Sequence, residues 1–246
     1  MQIYKFLGAF ILALSLFFLG LQFKGLEIEA AGVRALAVVL LTGLYLIKVK
    51  EKHLFFLLFL VTFTISEILN YMTWIVNLDF NPEIDYFYFI GNGLYILSYI
   101  FLIIRIFMSI DMKYVLAKLP IQITLLVILG LFFVYYVSDT TRAELSYYEY
   151  YLELFYNAVV MLLMGIALIN YMYRDDKKSM NLLIGTICIM FSEVIQLAYF
   201  YIADMNLLNV LCSIFLVFAF LFFYLQSKLS HRKQVNFLAQ QQDVNV

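Results

Sequence analysis

Charge is what this sequence has least of. Only 13% of its 246 residues are Asp, Glu, Lys or Arg, whereas 65% are hydrophobic. A water-soluble domain is about 45–50% apolar and about 25% charged. Too few charges are present to cover a water-facing surface, so most of that surface must face lipid. The net charge of −1 and the lack of any dense Lys/Arg run exclude nucleic acid as a partner. Proline is nearly absent, with Pro82 and Pro120 near predicted loops, so the apolar segments are uninterrupted. The two cysteines, Cys188 and Cys212, sit inside apolar segments and read as small core residues, neither disulfide nor metal ligand. His53 and His231 lie far apart, so no histidine-based metal site is expected. P-loop, G-x-S-x-G and G-x-G-x-x-G motifs are missing, and no cofactor is implied.

What is present is a series of apolar runs. Stretches of roughly 17–25 apolar residues cross a bilayer as helices. Eight are expected: Ile3–Phe23, Ala31–Ile47, His53–Val76, Phe87–Met108, Leu119–Val137, Tyr151–Tyr173, Met180–Ile202 and Leu207–Gln226. The first follows Lys5 and has no clean small-residue cleavage site behind it, so it reads as a retained span rather than a signal peptide. The expected fold class is therefore all-α, a polytopic membrane helix bundle. Residues 1–226 form one transmembrane domain, and 227–246 a short polar tail, a frayed helix end followed by disorder.

Basic residues test the span count, because Lys and Arg favour cytoplasmic loops. Lys5, Lys48, Lys50, Lys52, Arg105, Lys113, Lys118, Arg174, Lys177, Lys178, Lys228, Arg232 and Lys233 fall on one side. Only Lys24, Arg34 and Arg142 fall on the other. Aromatic residues such as Tyr71, Trp74, Tyr86, Tyr147 and Tyr148 gather at that second side, as interfacial rings do. Both termini are thus expected in the cytoplasm, and a bacterial inner membrane is the expected location.

The third and seventh spans share a signature. Ser66-Glu67-Ile68-Leu69-Asn70 matches Ser192-Glu193-Val194-Ile195-Gln196 at the same depth and in the same direction. Two parallel four-helix repeats, about 1–108 and 119–226, would produce such a match. It also suggests that the third and seventh helices are neighbours. A charged side chain near a span centre costs roughly 2.5–3.5 kcal/mol on insertion scales, so Glu67 and Glu193 should face the bundle interior. Helical spacing puts Asn70 and Gln196 on the same faces. Asn92, Glu153 and Asn157 lie at similar depth, and together these groups sketch a polar pocket opening toward the outer leaflet. The plain alternative is interhelical hydrogen bonding without a ligand.

These same residues resemble the lysoplasmalogenase family, the YhhN-like integral membrane proteins. Gly185 through Ser192-Glu193 resembles the family's G-A-x-x-F-x-x-S-D stretch, and FTISEIL resembles its S-x-x-G-D. Phe89-Ile90-Gly91-Asn92-Gly93-Leu94-Tyr95 resembles F-x-x-G-x-x-x-F, and Phe223-Tyr224-Leu225-Gln226 resembles its Y-x-x-Q ending. Here glutamates replace the family's aspartates, Tyr99 stands at its fourth-span histidine and Arg34-Ala35 at its Lys-Pro. The resemblance implies hydrolysis of the vinyl ether of a lysophospholipid, with membrane lipid or lysolipid as the partner. Glu67 and Glu193 would be catalytic, with Ser66, Asn70, Asn92, Tyr99, Asn157, Ser192 and Gln196 around the substrate. The same glutamates would also suit a proton-coupled transporter or a non-catalytic lipid-binding protein.

Overall fold

The computed structural model describes residues 2–76 and 86–230, with the side chains of residues 2–4 excluded. Nine α-helices and no strand are found among them. They are α1 (Gln2–Phe23), α2 (Glu27–Lys48), α3 (Leu54–Ile75), α4 (Tyr86–Phe107), α5 (Met112–Lys118), α6 (Pro120–Thr141), α7 (Tyr147–Arg174), α8 (Lys177–Tyr201) and α9 (Asn206–Ser227). All but α5 are long and apolar enough to cross a membrane, and the protein is a multi-pass membrane protein of the expected all-α class. Helices suit that role because each backbone group is satisfied within its own segment. The expected loop Asn77–Asp85 and the polar tail from 231 onward lie outside the described residues.

Local chemistry sets the breaks between helices. Gly25, at φ 70, makes the tight turn from α1 to α2. Asp111 caps α5 by accepting from the Lys113 and Tyr114 backbone N–H groups, and Pro120 occupies the first turn of α6. Capping boxes start α7 at Ser146 with Glu149, and α8 at Asp176 with Ser179. Two boundaries differ from the sequence expectation. The second span starts at Glu27, so Arg34 lies two turns inside the helix. The expected loop at Ser138–Glu149 shrinks, because α6 runs to Thr141 and α7 starts at Tyr147.

Seven helices form a closed ring in the order α1, α2, α3, α4, α7, α8, α9 and back to α1. Helix α6 stands outside it, packed on α7 with a lesser contact to α8. Only Val137, Ser138 and Thr141 of α6 are buried, while Ile121, Leu131 and Phe132 point outward, as lipid-facing residues should. The expected adjacency of the third and seventh spans is not found: α3 packs between α2 and α4, α8 between α7 and α9. The two halves also place their first helices differently, since α1 closes the ring against α9 and α6 does not pack on α4. Helices α8 and α9 approach closely at Gly185, where a Cβ would lie 2.6 Å from Phe223 Cε1.

One half of the ring interior is solid. Phe59 stacks on Phe220 with centroids 6.1 Å apart and meets Phe223 edge-on at 5.4 Å. Phe63 lies edge-on to Phe220 at 4.7 Å and to Tyr95 at 5.1 Å. Phe59, Leu102, Ile106, Leu163 and Ile189 are fully buried in the same cluster. This aromatic plug forms the floor of the site above it.

Candidate functional site

Above the plug the ring opens into a cavity of about 700 Å³, lined by residues from all seven ring helices and none from α6. Its walls use the C-terminal turns of α1, α3 and α8 and the N-terminal parts of α2, α4, α7 and α9. It therefore opens at the end of the bundle carrying the α1–α2 and α8–α9 turns. Glu67, Asn70, Asn92, Ser192, Glu193 and Gln196 all line it. The amides predicted to share a face with each glutamate do so. Helices that never pack together thus present their glutamates to one space.

Glu67 is the more constrained of the two. Arg34 Nε donates to its Oε2 at 2.6 Å, the only salt bridge among the described residues, and the pair is 15% and 2% exposed. Tyr95 OH donates to Oε1 at 3.0 Å. Both oxygens are engaged, one by a permanent cation. Glu193 has a different setting: Tyr99 OH donates to Oε1 at 2.5 Å, and among the described residues no cation lies within ion-pair distance. Tyr156 lines the cavity beside it, its ring edge-on to Tyr99 at 6.0 Å. Tyr95 and Tyr99 are one turn apart on α4, so a single helix face holds glutamates from two separate helices.

Three expected substrate residues have other duties. Ser66 is fully buried and absent from the cavity wall; its Oγ donates to the Gly91 carbonyl at 3.0 Å, tying α3 to α4. Asn157 is also off the wall, because its Nδ2 reaches outward to Ser138 Oγ at 3.1 Å and anchors α6. Tyr99 is fully buried behind Glu193 and holds that side chain rather than lining the cavity. Ser192 does border the cavity, but its Oγ donates to the Cys212 carbonyl at 2.9 Å, tying α8 to α9.

Glu153 lines the wall, as the expected polar pocket requires, whereas other wall residues escaped the sequence reading. Glu153 is a further buried carboxylate, 7% exposed, with Tyr88 OH at 3.4 Å from its Oε2. Its position one turn before Asn157 had placed it in the expected polar pocket without a catalytic role. Near the mouth, Glu27 Oε1 accepts from Tyr199 OH at 2.6 Å and from Asn209 Nδ2 at 2.8 Å. Gln22 Nε2 donates onward to Asn209 Oδ1 and Ser213 Oγ, so this network joins α1, α2, α8 and α9. Arg34 itself carried a usable signal. A lone cation two turns inside a span demands a carboxylate partner, and Glu67 is at matching depth.

Among the described residues no cluster of His, Cys, Asp and Glu is arranged to hold a metal ion. The wall carries four glutamates and one arginine, with Phe63, Trp74, Phe87, Tyr88 and Tyr156 among its aromatic members. Such a site can take a small amphiphile, hold its polar end against carboxylates and move a proton. No known protein family matches the chain, and neither does any curated protein or solved structure.

Proposed function

We propose that the protein is a membrane-embedded lipid hydrolase that cleaves the vinyl ether of a lysophospholipid, with Glu193 as the acid and Glu67 as the carboxylate partner. The observation that carries this reading is one cavity holding two carboxylates with unlike partners: an arginine for Glu67, hydroxyl groups for Glu193. Carboxylates set apart by their environments divide acid and base roles in this way. The short sequence matches to the lysoplasmalogenase family support the same substrate class.

The chemistry balances with water alone. Glu193 protonates the vinyl carbon remote from oxygen, leaving an oxocarbenium centre. Glu67 balances that positive charge and orients the water that attacks it. The resulting hemiacetal collapses to a fatty aldehyde and the glycerophospho alcohol, and the water proton restores Glu193. Asn70, Asn92 and Gln196 hold the polar head, and the lipid chain lies against the aromatic wall. In this reading both termini are cytoplasmic and the cavity opens to the outer face of a bacterial inner membrane.

Two other readings use the same residues. The ion pair that occupies Glu67 favours a non-catalytic lipid-binding protein. A proton-coupled carrier has less support, since the aromatic plug makes the cavity blind. The test is purified protein in nanodiscs incubated with lysoplasmenyl lipid. Aldehyde together with the glycerophospho head group supports the hydrolase. Lysolipid that binds and is recovered intact supports the binding protein and sinks the hydrolase.

A further inference from the structure

The opposite end of the ring carries inward-turned cations, and the charges that act on Arg105 there include no carboxylate. Arg105 sits on the inner face of α4, between the fully buried Leu102 and Ile106, and is itself half-buried. Lys178, also half-buried, lies one turn before the buried Leu182 on α8. Arg105 is close enough to Tyr45, His53, Lys178 and Arg174 for their charges to act on one another. Glu51 and Asp176 are close enough to Lys178 to act on its charge. Asp176 is occupied in capping α8.

Most basic residues at this end need no ligand. Lys50 and Lys52 are exposed and simply meet water or the membrane surface. Arg105 and Lys178 differ because they are turned inward, where unpaired charge is costly. Two neighbouring polar atoms are also buried without partners: His53 Nδ1 and the Nδ2 of the fully buried Asn170. Asn170 lies one turn before Arg174, accepts from Ser109 Oγ at 2.9 Å, and keeps its amide donor unused. Arg174 donates to the Ser109 carbonyl, which holds this corner in place. His53 caps the start of α3 without any side-chain hydrogen bond to its N–H groups. Inward-turned cations and an unused amide donor thus share this end of the ring.

We infer that Arg105 and Lys178, with His53 and the α3 N-terminus, form a binding site for a phosphoryl group at the end of the bundle opposite the cavity. The ligand is either the phosphate of an anionic lipid or free phosphate. The site owes nothing to the proposed hydrolase chemistry and stands or falls separately from it. Guanidinium and ammonium donors to a phosphate give charge-assisted hydrogen bonds, worth about tenfold in affinity for each cation.

His53 offers a direct reporter. Burial first, and then Arg105 and Lys178, hold its imidazole below the ordinary value. A bound anion offsets the two cations and moves the titration upward. The chain has two histidines, so the His53 resonance is readily separated from that of His231. The experiment follows His53 by NMR in phosphatidylcholine nanodiscs, with added phosphatidylglycerol in one arm and inorganic phosphate in the other. An upward shift in the first arm alone identifies a lipid source, and a shift in the second a free phosphate. Arg105→Gln and Lys178→Gln, singly and together, should each weaken the response about tenfold, while Lys50→Gln leaves it intact. No shift of wild-type His53 in either arm overturns the site. An equal loss in Lys50→Gln reduces it to general surface charge and overturns it too.

Discussion

Ser66 and Ser192 occupy matching places in α3 and α8, and each donates its hydroxyl to a carbonyl near the start of the following ring helix, Gly91 in α4 and Cys212 in α9. One residue on, Glu67 and Glu193 share a cavity but keep different company: a guanidinium for one, a tyrosine hydroxyl for the other. The repeated serine is therefore a fastening between consecutive helices. The repeated glutamate has been given two settings. Symmetry persists where it serves packing and breaks where two carboxylates in one space can divide their labour.

Breaking the ion pair should have the largest effect. Arg34→Gln leaves Glu67 as an uncompensated buried charge and should cost about 3–5 kcal/mol of stability. Adding Glu67→Gln removes that charge and should recover most of the loss. Chemical denaturation in detergent measures both variants, and failure of the double variant to recover would show that Arg34 acts through something other than Glu67.

Tyr99→Phe sharpens the contrast from the other side. It removes the 2.5 Å hydrogen bond to Glu193 Oε1 while filling the same volume, and should cost about 1–2 kcal/mol. The pH dependence of aldehyde release should shift with it, because Glu193 loses the hydroxyl that holds it. An unchanged pH profile would separate Glu193 from the chemistry.

The serines test the shared part. Ser66→Ala and Ser192→Ala should each cost about 1 kcal/mol, by similar amounts, with aldehyde release retained. A large loss of activity in only one of them would mean that its hydroxyl has a duty beyond packing. Asn157→Ala should have the smallest effect, about 0.6 kcal/mol from its bond to Ser138, and leave activity unchanged.

Much of this arrangement is readable from residue patterns. Span number follows from apolar length, since one helix needs one bilayer thickness of apolar residues. The interior placement of Glu67, Asn70, Glu193 and Gln196 follows from the cost of charge in lipid and from helical spacing. Neighbour relations do not follow, because equal depth says nothing about position around a ring. Glu67 and Glu193 therefore meet across a cavity rather than along a helix contact. Ser66 was assigned to the site by its place in the repeated signature and Asn157 by depth, but a short side chain bonds to whatever backbone or helix it abuts. Glu27 and Gln22 lie at span ends, where polar residues are ordinary, so the mouth network left no distinctive trace.

Aldehyde release from lysoplasmenyl lipid in nanodiscs, by wild type beside Glu67→Gln and Glu193→Gln, tests the two-carboxylate site most directly. Glutamine preserves size and hydrogen bonding but cannot exchange a proton as a carboxyl group does. Wild type should release aldehyde, and each folded variant should fall by about 100-fold or more. No release by folded wild type, or undiminished release by either variant, would contradict the division of roles between Glu67 and Glu193.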